Sequence, residues 1–171
     1  MRLKITLSIL MFICVVSSAV AQEGRVVQNV QLSDLNNRAT HLPHFGDKYL
    51  LIFYVDPDRV GQNDEFVGEL KSNATLKNGK FTGVNIMNLK DAPKAPAEVA
   101  YKMARKRAEA SGTPFLVDKD GSLSSSWRLG DCDNYSTIML LSTSGEILFI
   151  SKGKISEYNK GRFFRIIEGL N

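Results

Sequence analysis

The sequence predicts a single α/β domain, built on a central mixed sheet with helices on its faces. The run Tyr49–Val55 is apolar at every position, which is typical of a strand buried on both faces of a sheet. Two later segments have apolar residues at helical spacing, and the chain ends with a strand, a turn, a strand and a helix. This order predicts parallel strand pairing early in the chain and antiparallel pairing later.

The first 21 residues predict a cleaved secretory signal peptide. A basic start, Met1–Lys4, precedes the apolar run Ile5–Val16, which is too short to span a bilayer as a stable helix. The small residues of Ala19–Ala21 predict cleavage before Gln22, which would leave one domain of residues 22–171. We therefore expect a periplasmic protein without stable membrane insertion, or alternatively a secreted one.

Charge and cysteine content narrow the classes of partner. Cleavage would remove Arg2 and Lys4, so the formal net charge would fall from +4 to +2. This charge is too small to indicate nucleic acid or an anionic membrane as the partner. Cleavage would also remove Cys14, and the one remaining cysteine, Cys132, cannot form an intramolecular disulfide. Cys132 is then a reduced thiol, an intermolecular partner or a small buried apolar residue.

The elements before residue 90 follow from alternation, helix caps and turn signals. Apolar and polar residues alternate within Val26–Leu42, which predicts a leading strand or hairpin over the edge of the domain. Asn63 and Asp64 can cap a helix. The apolar face of this helix would consist of Phe66, Val67 and Leu70. The turn signal Asn78–Gly79 then predicts a strand over Phe81–Leu89.

The second half is predicted as a loop, a helix, two hairpins and a last helix. Two prolines mark Asp91–Pro96 as a loop, and Ala97–Ala110 is expected to be helical. The inward face of that helix would consist of Val99, Ala100, Met103, Ala104 and Ala108. The strands of the two hairpins would be Phe115–Val117 with Ser124–Leu129, and Ile138–Leu141 with Ile147–Ile150. Ser156 is expected to cap the last helix.

This order of elements resembles the thioredoxin fold in its larger, peroxiredoxin-like form. The segments that look like the consecutive strands of that fold are Pro114–Gly121, Ser126–Gly130, Ser136–Leu141 and Gly145–Ile150. Within this group the chain is similar to the YtfJ family, whose members are small exported proteins with a thioredoxin-like fold. The resemblance covers about residues 45–170 and implies one thioredoxin-like domain with an N-terminal strand or hairpin extension.

The resemblance also identifies where redox cysteines would lie. A thioredoxin-type oxidoreductase has a Cys-x-x-Cys motif after the buried strand, with its first sulfur at a helix start that favours the thiolate. The corresponding positions are Asp58 and Gly61, and the segment Asp56–Gln62 contains no cysteine. The Thr and Cys that a peroxiredoxin would need are also missing there. The sequence therefore predicts that this loop performs no thiol–disulfide chemistry.

Two positions compete for the proline that faces the active-site loop in thioredoxin-like proteins. Thr113–Pro114 matches locally, because a strand and a turn follow it. Ser136–Thr137 matches by topology, because the hairpin that begins there leads directly into the last helix. We favour Ser136–Thr137, and we expect an ordinary trans peptide bond there because a cis bond before threonine would cost about 2.5–4 kcal/mol.

The candidate ligand-binding residues lie at these two places. Ligands of open α/β sheets bind at the carboxyl ends of strands. We therefore predict that residues of the Asp56–Gln62 loop and of the favoured proline position contact a ligand. The set consists of Asp56, Asp58, Arg59, Gln62 and Thr137. Asp56 and Asp58 could also bind a cation, or they could simply cap the turn and the helix start.

Together these features predict an exported binding or accessory protein without redox activity, whose ligand is a protein or a small molecule. The alternative is a single-thiol redox protein, of the peroxidase or thiol–disulfide type, in which Cys132 acts with an external partner. Flanking carboxylates, Asp131 and Asp133, disfavour its thiolate. We predict no cofactor and no metal site, because His41 and His44 have no further ligand at zinc spacing.

Overall fold

A computed structural model describes residues 22–90 and 96–170, and within them a seven-stranded sheet carries four α-helices. The strands are β1 (Leu32–Ser33), β2 (Ala39–Thr40), β3 (Tyr49–Val55), β4 (Phe81–Asn88), β5 (Phe115–Asp118), β6 (Ser136–Leu141) and β7 (Ile147–Lys152). The helices are α1 (Asp64–Ser72), α2 (Ala97–Ser111), α3 (Ser122–Ser126) and α4 (Glu157–Gly169). The expected signal peptide and most of the Asp91–Pro96 loop lie outside the described residues.

The sheet has the order β2-β1-β5-β4-β3-β6-β7. Strands β3, β4 and β5 pair in parallel, whereas β3 with β6 and β6 with β7 pair antiparallel. The short hairpin of β1 and β2 extends the β5 edge antiparallel. The mixed sheet, the change from parallel to antiparallel pairing and the N-terminal hairpin were all predicted from the sequence, and all three are confirmed.

The two faces of the sheet have different covers. On the front face, Leu51, Phe53 and Val55 of β3 lie in an apolar cluster with side chains of α1 and α4. Phe163 of α4 packs edge to face against Phe66 of α1, with ring centroids 5.4 Å apart, and this contact joins the two helices. On the back face, the cluster includes Leu50, Ile52 and Tyr54 of β3, residues of the N-terminal segment, Leu123 of α3 and Trp127.

The first predicted hairpin is wrong. Strand β5 is followed by helix α3 and not by a partner strand, and β5 already pairs with β4 and β1. The Asp118 carboxylate accepts hydrogen bonds from the backbone N–H groups of Ser122 (2.9 Å) and Leu123 (3.1 Å). These bonds satisfy two donors of the first helical turn, so the chain turns into a helix directly after the strand.

The predicted inward face of α2 is partly wrong. Ala100 and Ala104 are buried against Met87 and Phe115, as expected, but Val99 and Met103 are exposed. The small side chains of the two alanines bring the helix close to the sheet along one narrow line. The larger apolar residues on either side of that line remain in contact with solvent. No helix in the described ranges, 22–90 and 96–170, is long and apolar enough to cross a membrane.

Candidate functional site

Two loops meet at the carboxyl end of β3. Val55 pairs with Ser136, so the loop that leaves β3 faces the loop that leads into β6. We call these segments the β3 loop (residues 56–63) and the β6 loop (residues 131–135). The resemblance to thioredoxin-like proteins implies that redox cysteines and the facing proline would lie at this meeting point. The Ser136–Thr137 position is therefore the one opposite the β3 loop, as the topology predicted.

Asp56 joins the two loops through its buried carboxylate. One carboxylate oxygen accepts from the backbone N–H of Asp58 at 2.7 Å, and the other accepts from that of Asn134 at 3.2 Å. The backbone N–H of Asp56 donates to the carbonyl oxygen of Tyr135 at 3.3 Å. Burial raises the pKa of Asp56, and the two backbone donors oppose this effect. Asp56 therefore caps the 3-10 turn Pro57–Arg59 and ties it to the β6 loop.

Two further side chains of the β3 loop bind the facing segment. The Gln62 side-chain oxygen accepts from the backbone N–H of Ser136 at 2.9 Å. The Arg59 guanidinium donates to the carbonyl oxygen of Asn134 at 3.3 Å. With the bonds of Asp56, these contacts form what we call the loop clamp, which holds the two loops in one arrangement.

Asn63 has a different role from the one predicted. It precedes α1 but makes no side-chain cap to that helix. Its amide nitrogen donates to the carbonyl oxygen of Gly153 at 3.0 Å, and its side-chain oxygen accepts from the backbone N–H of Ile155 at 2.9 Å. Asn63 therefore anchors the start of α1 to the connection between β7 and α4.

The five predicted ligand-binding residues fall into two groups. Asp58 and Arg59 are exposed, and Gln62 is partly exposed although its oxygen already accepts a hydrogen bond. Asp56 and Thr137 are buried, and the Thr137 hydroxyl has no hydrogen-bond partner among the described residues. The peptide bond before Thr137 is trans, as expected. Whether these residues bind a ligand stays a prediction.

Three residues of this surface were not among the five predicted ligand contacts. Asn134 adopts a φ of +61°, which asparagine tolerates better than most residues, and its backbone carries two bonds of the clamp. Tyr135 remains 44% exposed beside it. The Lys152 ammonium donates to the carbonyl oxygens of Leu129 and, at 2.6 Å, Asp131, and so holds the start of the β6 loop. The signal for Asn134 was its turn propensity directly before a strand, whereas no local pattern marks Lys152.

Cys132 does not open onto the β3 loop. Its side chain is 1% exposed and belongs to the apolar cluster of the back face, together with Trp127 and Leu129. This placement agrees with a small buried apolar residue. Among the described residues no group of three or more His, Cys, Asp or Glu side chains could hold a metal ion.

Removal of the Asp56 carboxylate tests the loop clamp. We expect Asp56→Ala to lower the free energy of unfolding by about 1–3 kcal/mol, because two backbone N–H groups lose their acceptor in a largely buried place. Urea unfolding followed by tryptophan fluorescence measures this change. The matched control is Asp58→Ala, which removes an exposed carboxyl two residues away and should change stability by less than about 0.5 kcal/mol. Equal effects of the two substitutions would contradict the clamp.

A family comparison identifies the group to which this arrangement belongs. A family model described as "Bacterial protein of unknown function (YtfJ_HI0045)" matches residues 56–168, more than half of the chain. The chain belongs to this family. The match begins at Asp56 and includes both loops, strands β4–β7 and nearly all of α4. The similarity to YtfJ proteins that the sequence motifs predicted is therefore confirmed. No curated protein sequence matches the chain.

Solved structures confirm the fold. A thiol-disulfide oxidoreductase from Bacteroides fragilis is 18% identical with a TM-score of 0.58, over 83% of this chain and 99% of that one. The exposed lipoprotein thioredoxin of Streptococcus pneumoniae is 11% identical with a TM-score of 0.61, over 83% and 99%. The thioredoxin domain of an oxidoreductase from Bacteroides vulgatus is 17% identical with a TM-score of 0.58, over 85% and 97%. At these identities the likeness establishes a thioredoxin-like fold alone.

Proposed function

We propose that this chain is an exported, periplasmic member of its family that uses the thioredoxin-like fold for binding and not for thiol–disulfide exchange. The observation that carries the proposal is the loop clamp at the position of the redox motif. The partner, a protein or a small molecule, would contact the surface formed by the β3 and β6 loops. Export rests on the expected signal peptide of residues 1–21, and the pneumococcal neighbour is itself described as exposed.

The chemistry of the β3 loop supports a non-redox role. The first cysteine position is Asp58, which lies in a 3-10 turn, and the second is Gly61. A carboxylate cannot form the mixed disulfide through which thiol–disulfide exchange proceeds. The side-chain oxygens of Asp56 and Gln62 accept hydrogen bonds from the backbone N–H groups of Asn134 and Ser136, so these two donors are already occupied and could not pair with a substrate peptide.

The position of Cys132 also favours binding over the single-thiol alternative. A catalytic thiol must reach its substrate as a thiolate, which requires an accessible and electropositive surrounding. Cys132 is buried among apolar side chains on the back face, and the neighbouring residues Asp131 and Asp133 are acidic. A thiolate at Cys132 could attack a peroxide or a disulfide only after this cluster had opened.

The exposed side chains of the two loops suit a binding surface. Arg59 and Tyr135 are exposed on adjacent loops, and these two residue types are enriched among the residues that contribute most to binding. The clamp fixes the backbone beneath them, which reduces the entropy lost when a partner binds. Asp58 adds a negative charge beside Arg59, so a partner with both charge types would be complementary.

Redox activity and thiol access test this function. We expect the chain lacking residues 1–21 to reduce insulin disulfides no faster than buffer containing dithiothreitol alone. Iodoacetamide should alkylate Cys132 at least about 100-fold more slowly than glutathione, because the buried thiol reacts only after local opening. Cys132→Ser is the control for both assays. Reductase activity that this substitution abolishes would replace the proposal by the single-thiol alternative.

Binding at the loop surface needs its own experiment. A photo-crosslinking amino acid at position 135, expressed with the full chain in the exporting cell, should capture a discrete partner. Arg59→Glu should reduce the yield of this adduct, because it reverses a charge at the surface. A probe at Tyr158, which is 73% exposed on α4, is the matched control. The same adduct at both positions, or none at position 135, would contradict the proposed surface.

A further inference from the structure

A groove lies between α1 and α2 on the front face of the sheet, and one end of it reaches Val60 and Asn63 of the β3 loop. Its volume is about 810 Å³, within the range of about 300–1,000 Å³ that small-molecule sites have. Strand residues form its floor and the two helices form its walls. Leu51, Phe53 and Phe115 belong to the floor, and Val67 and Met103 belong to the walls.

The helices leave this part of the sheet incompletely covered. Phe53 retains 8% exposure towards the groove, whereas Ile52, its neighbour on the back face, has 0%. Two glycines widen the groove: Gly83 on the floor and Gly68 on the wall of α1 carry no side chain. A Cβ atom added at Gly68 would meet no atom within 4 Å. Covering this water-exposed apolar surface with an apolar ligand would contribute a favourable free energy of about 25 cal/mol per Å².

The charged groups at the groove are mainly positive. Lys71 of α1 and Lys106 of α2 both line it, and neither ammonium has an ion-pair partner in the described part of the chain. Arg107 differs, because it pairs with Asp64 at 3.2 Å and so links the two helices across the groove. The charge that remains to be matched is therefore that of the two lysines, and it calls for an anion.

We infer that this groove binds the anion of a medium-chain free fatty acid, with the acyl chain along β3 and the carboxylate at Lys71 and Lys106. The stretch from Leu51 to Val55 on the floor spans about 13 Å at the rise of a strand. An acyl chain fits an apolar floor of this length because it carries no backbone N–H or C=O groups, which an extended peptide would leave without partners. The side-chain amide of Asn85, which makes no hydrogen bond to a described residue, can donate to a ligand oxygen.

Titration of the chain lacking residues 1–21 with dodecanoate, below its micelle concentration, tests this inference. We expect saturable one-to-one binding by calorimetry. Dodecyltrimethylammonium, which has the same chain and the opposite charge, should bind at least about tenfold more weakly. Absence of saturable binding, or equal affinity for the cationic detergent, would overturn the inference. A dimer that is seen by sedimentation and persists when dodecanoate is added would also overturn the inference. A second copy of the chain would then occupy the groove.

Matched variants locate the site. Gly68→Phe should fill the groove and lower the affinity for dodecanoate by more than about tenfold, whereas Gly161→Phe on α4 should not. Lys71→Glu and Lys106→Glu should each lower it about fivefold, and Lys154→Glu, at an exposed lysine outside the groove, should not. Unchanged affinity in Gly68→Phe, or equal losses in the controls, would place binding elsewhere and overturn the inference.

A measurement on the unsubstituted chain keeps the inference testable if Gly68→Phe does not fold. Intermolecular nuclear Overhauser effects, which require protons in near contact, should connect the methylene protons of dodecanoate with the methyl groups of Leu51 and Val67 in the groove. The methyl groups of Leu123 and Leu129, buried on the back face, should show none. Effects at both sets, or at neither, would contradict the site. These experiments do not involve disulfide reduction or position 135, so the groove and the proposed loop surface can fail independently.

Discussion

Replacing Trp127 by alanine is expected to lower the free energy of unfolding by about 3–5 kcal/mol. Trp127 is among the largest fully buried side chains of the described residues, and it packs in the back-face cluster with Leu123, Leu129 and Cys132. Its indole N–H also donates to the carbonyl oxygen of Gln28 at 2.9 Å, which ties the N-terminal segment to this face. Alanine would leave a large cavity and an unsatisfied carbonyl group.

Urea unfolding followed by circular dichroism is the suitable measurement, because Trp127 is the only tryptophan of the chain. Tyr158→Ala, which removes an exposed aromatic ring, is the matched control and should change stability by less than about 0.5 kcal/mol. The cavity should also speed alkylation of Cys132, because it opens the cluster that covers the thiol. A Trp127→Ala protein of unchanged stability, or one in which Cys132 stays equally protected, would contradict this account of the back face.

Asp118→Ala is expected to cost about 2–4 kcal/mol, because several buried donors lose one shared acceptor. The carboxylate accepts from the Tyr54 hydroxyl at 3.0 Å and from the backbone N–H groups of Ser122 and Leu123 at 2.9 and 3.1 Å. Thermal and urea unfolding measure the loss. Asp120→Ala, which removes an exposed carboxyl that accepts hydrogen bonds from Ser122, should cost less than about 1 kcal/mol. Equal costs would show that Asp118 is not the main cap of α3.

The pH dependence of stability provides a second readout for Asp118. Burial raises the pKa of this carboxyl above 3.8, although its four hydrogen-bond donors oppose the shift. The folded state then binds more protons than the unfolded state in the interval above pH 3.8. The contribution of Asp118 to stability is therefore greatest below pH 3.8 and declines as the pH rises through its raised pKa. The cost of Asp118→Asn, measured from pH 3 to 7, should decline in the same direction; a rising cost would contradict the shift.

Local patterns predicted the elements whose neighbours in sequence are also their neighbours in space. The run Tyr49–Val55 is β3, with the predicted bounds. A short run that is apolar at every position is typical of a strand buried on both faces of a sheet. The β6–β7 hairpin forms as predicted, and so does α4, which begins at the predicted cap Ser156, whose hydroxyl accepts from the backbone N–H of Asn159. In each case a short-range signal and the long-range packing favour the same conformation.

The predictions failed where a distant contact decides the outcome. Ser124–Leu129 was expected to pair with β5. Instead, the Asp118 carboxylate caps a helix that begins at Ser122, and β1 pairs with the free edge of β5. Asn63 was expected to cap α1, but its side chain bonds to Gly153 and Ile155, about 90 residues away in sequence. Neither contact has a periodicity or a spacing that a single sequence reveals.

The sequence by itself determined that the β3 loop contains no cysteine, and its motifs identified the family and the fold. Only the tertiary structure decided which residues of the candidate site are accessible. The pairing of Val55 with Ser136 brings two loops together, and that contact buries Asp56 and leaves Arg59 exposed. Cys132 lies in the β6 loop, but its side chain belongs to the apolar cluster on the back face of the sheet. Residue type sets the chemistry that a position can perform, whereas burial and direction, which depend on contacts between distant segments, set whether a partner can reach it.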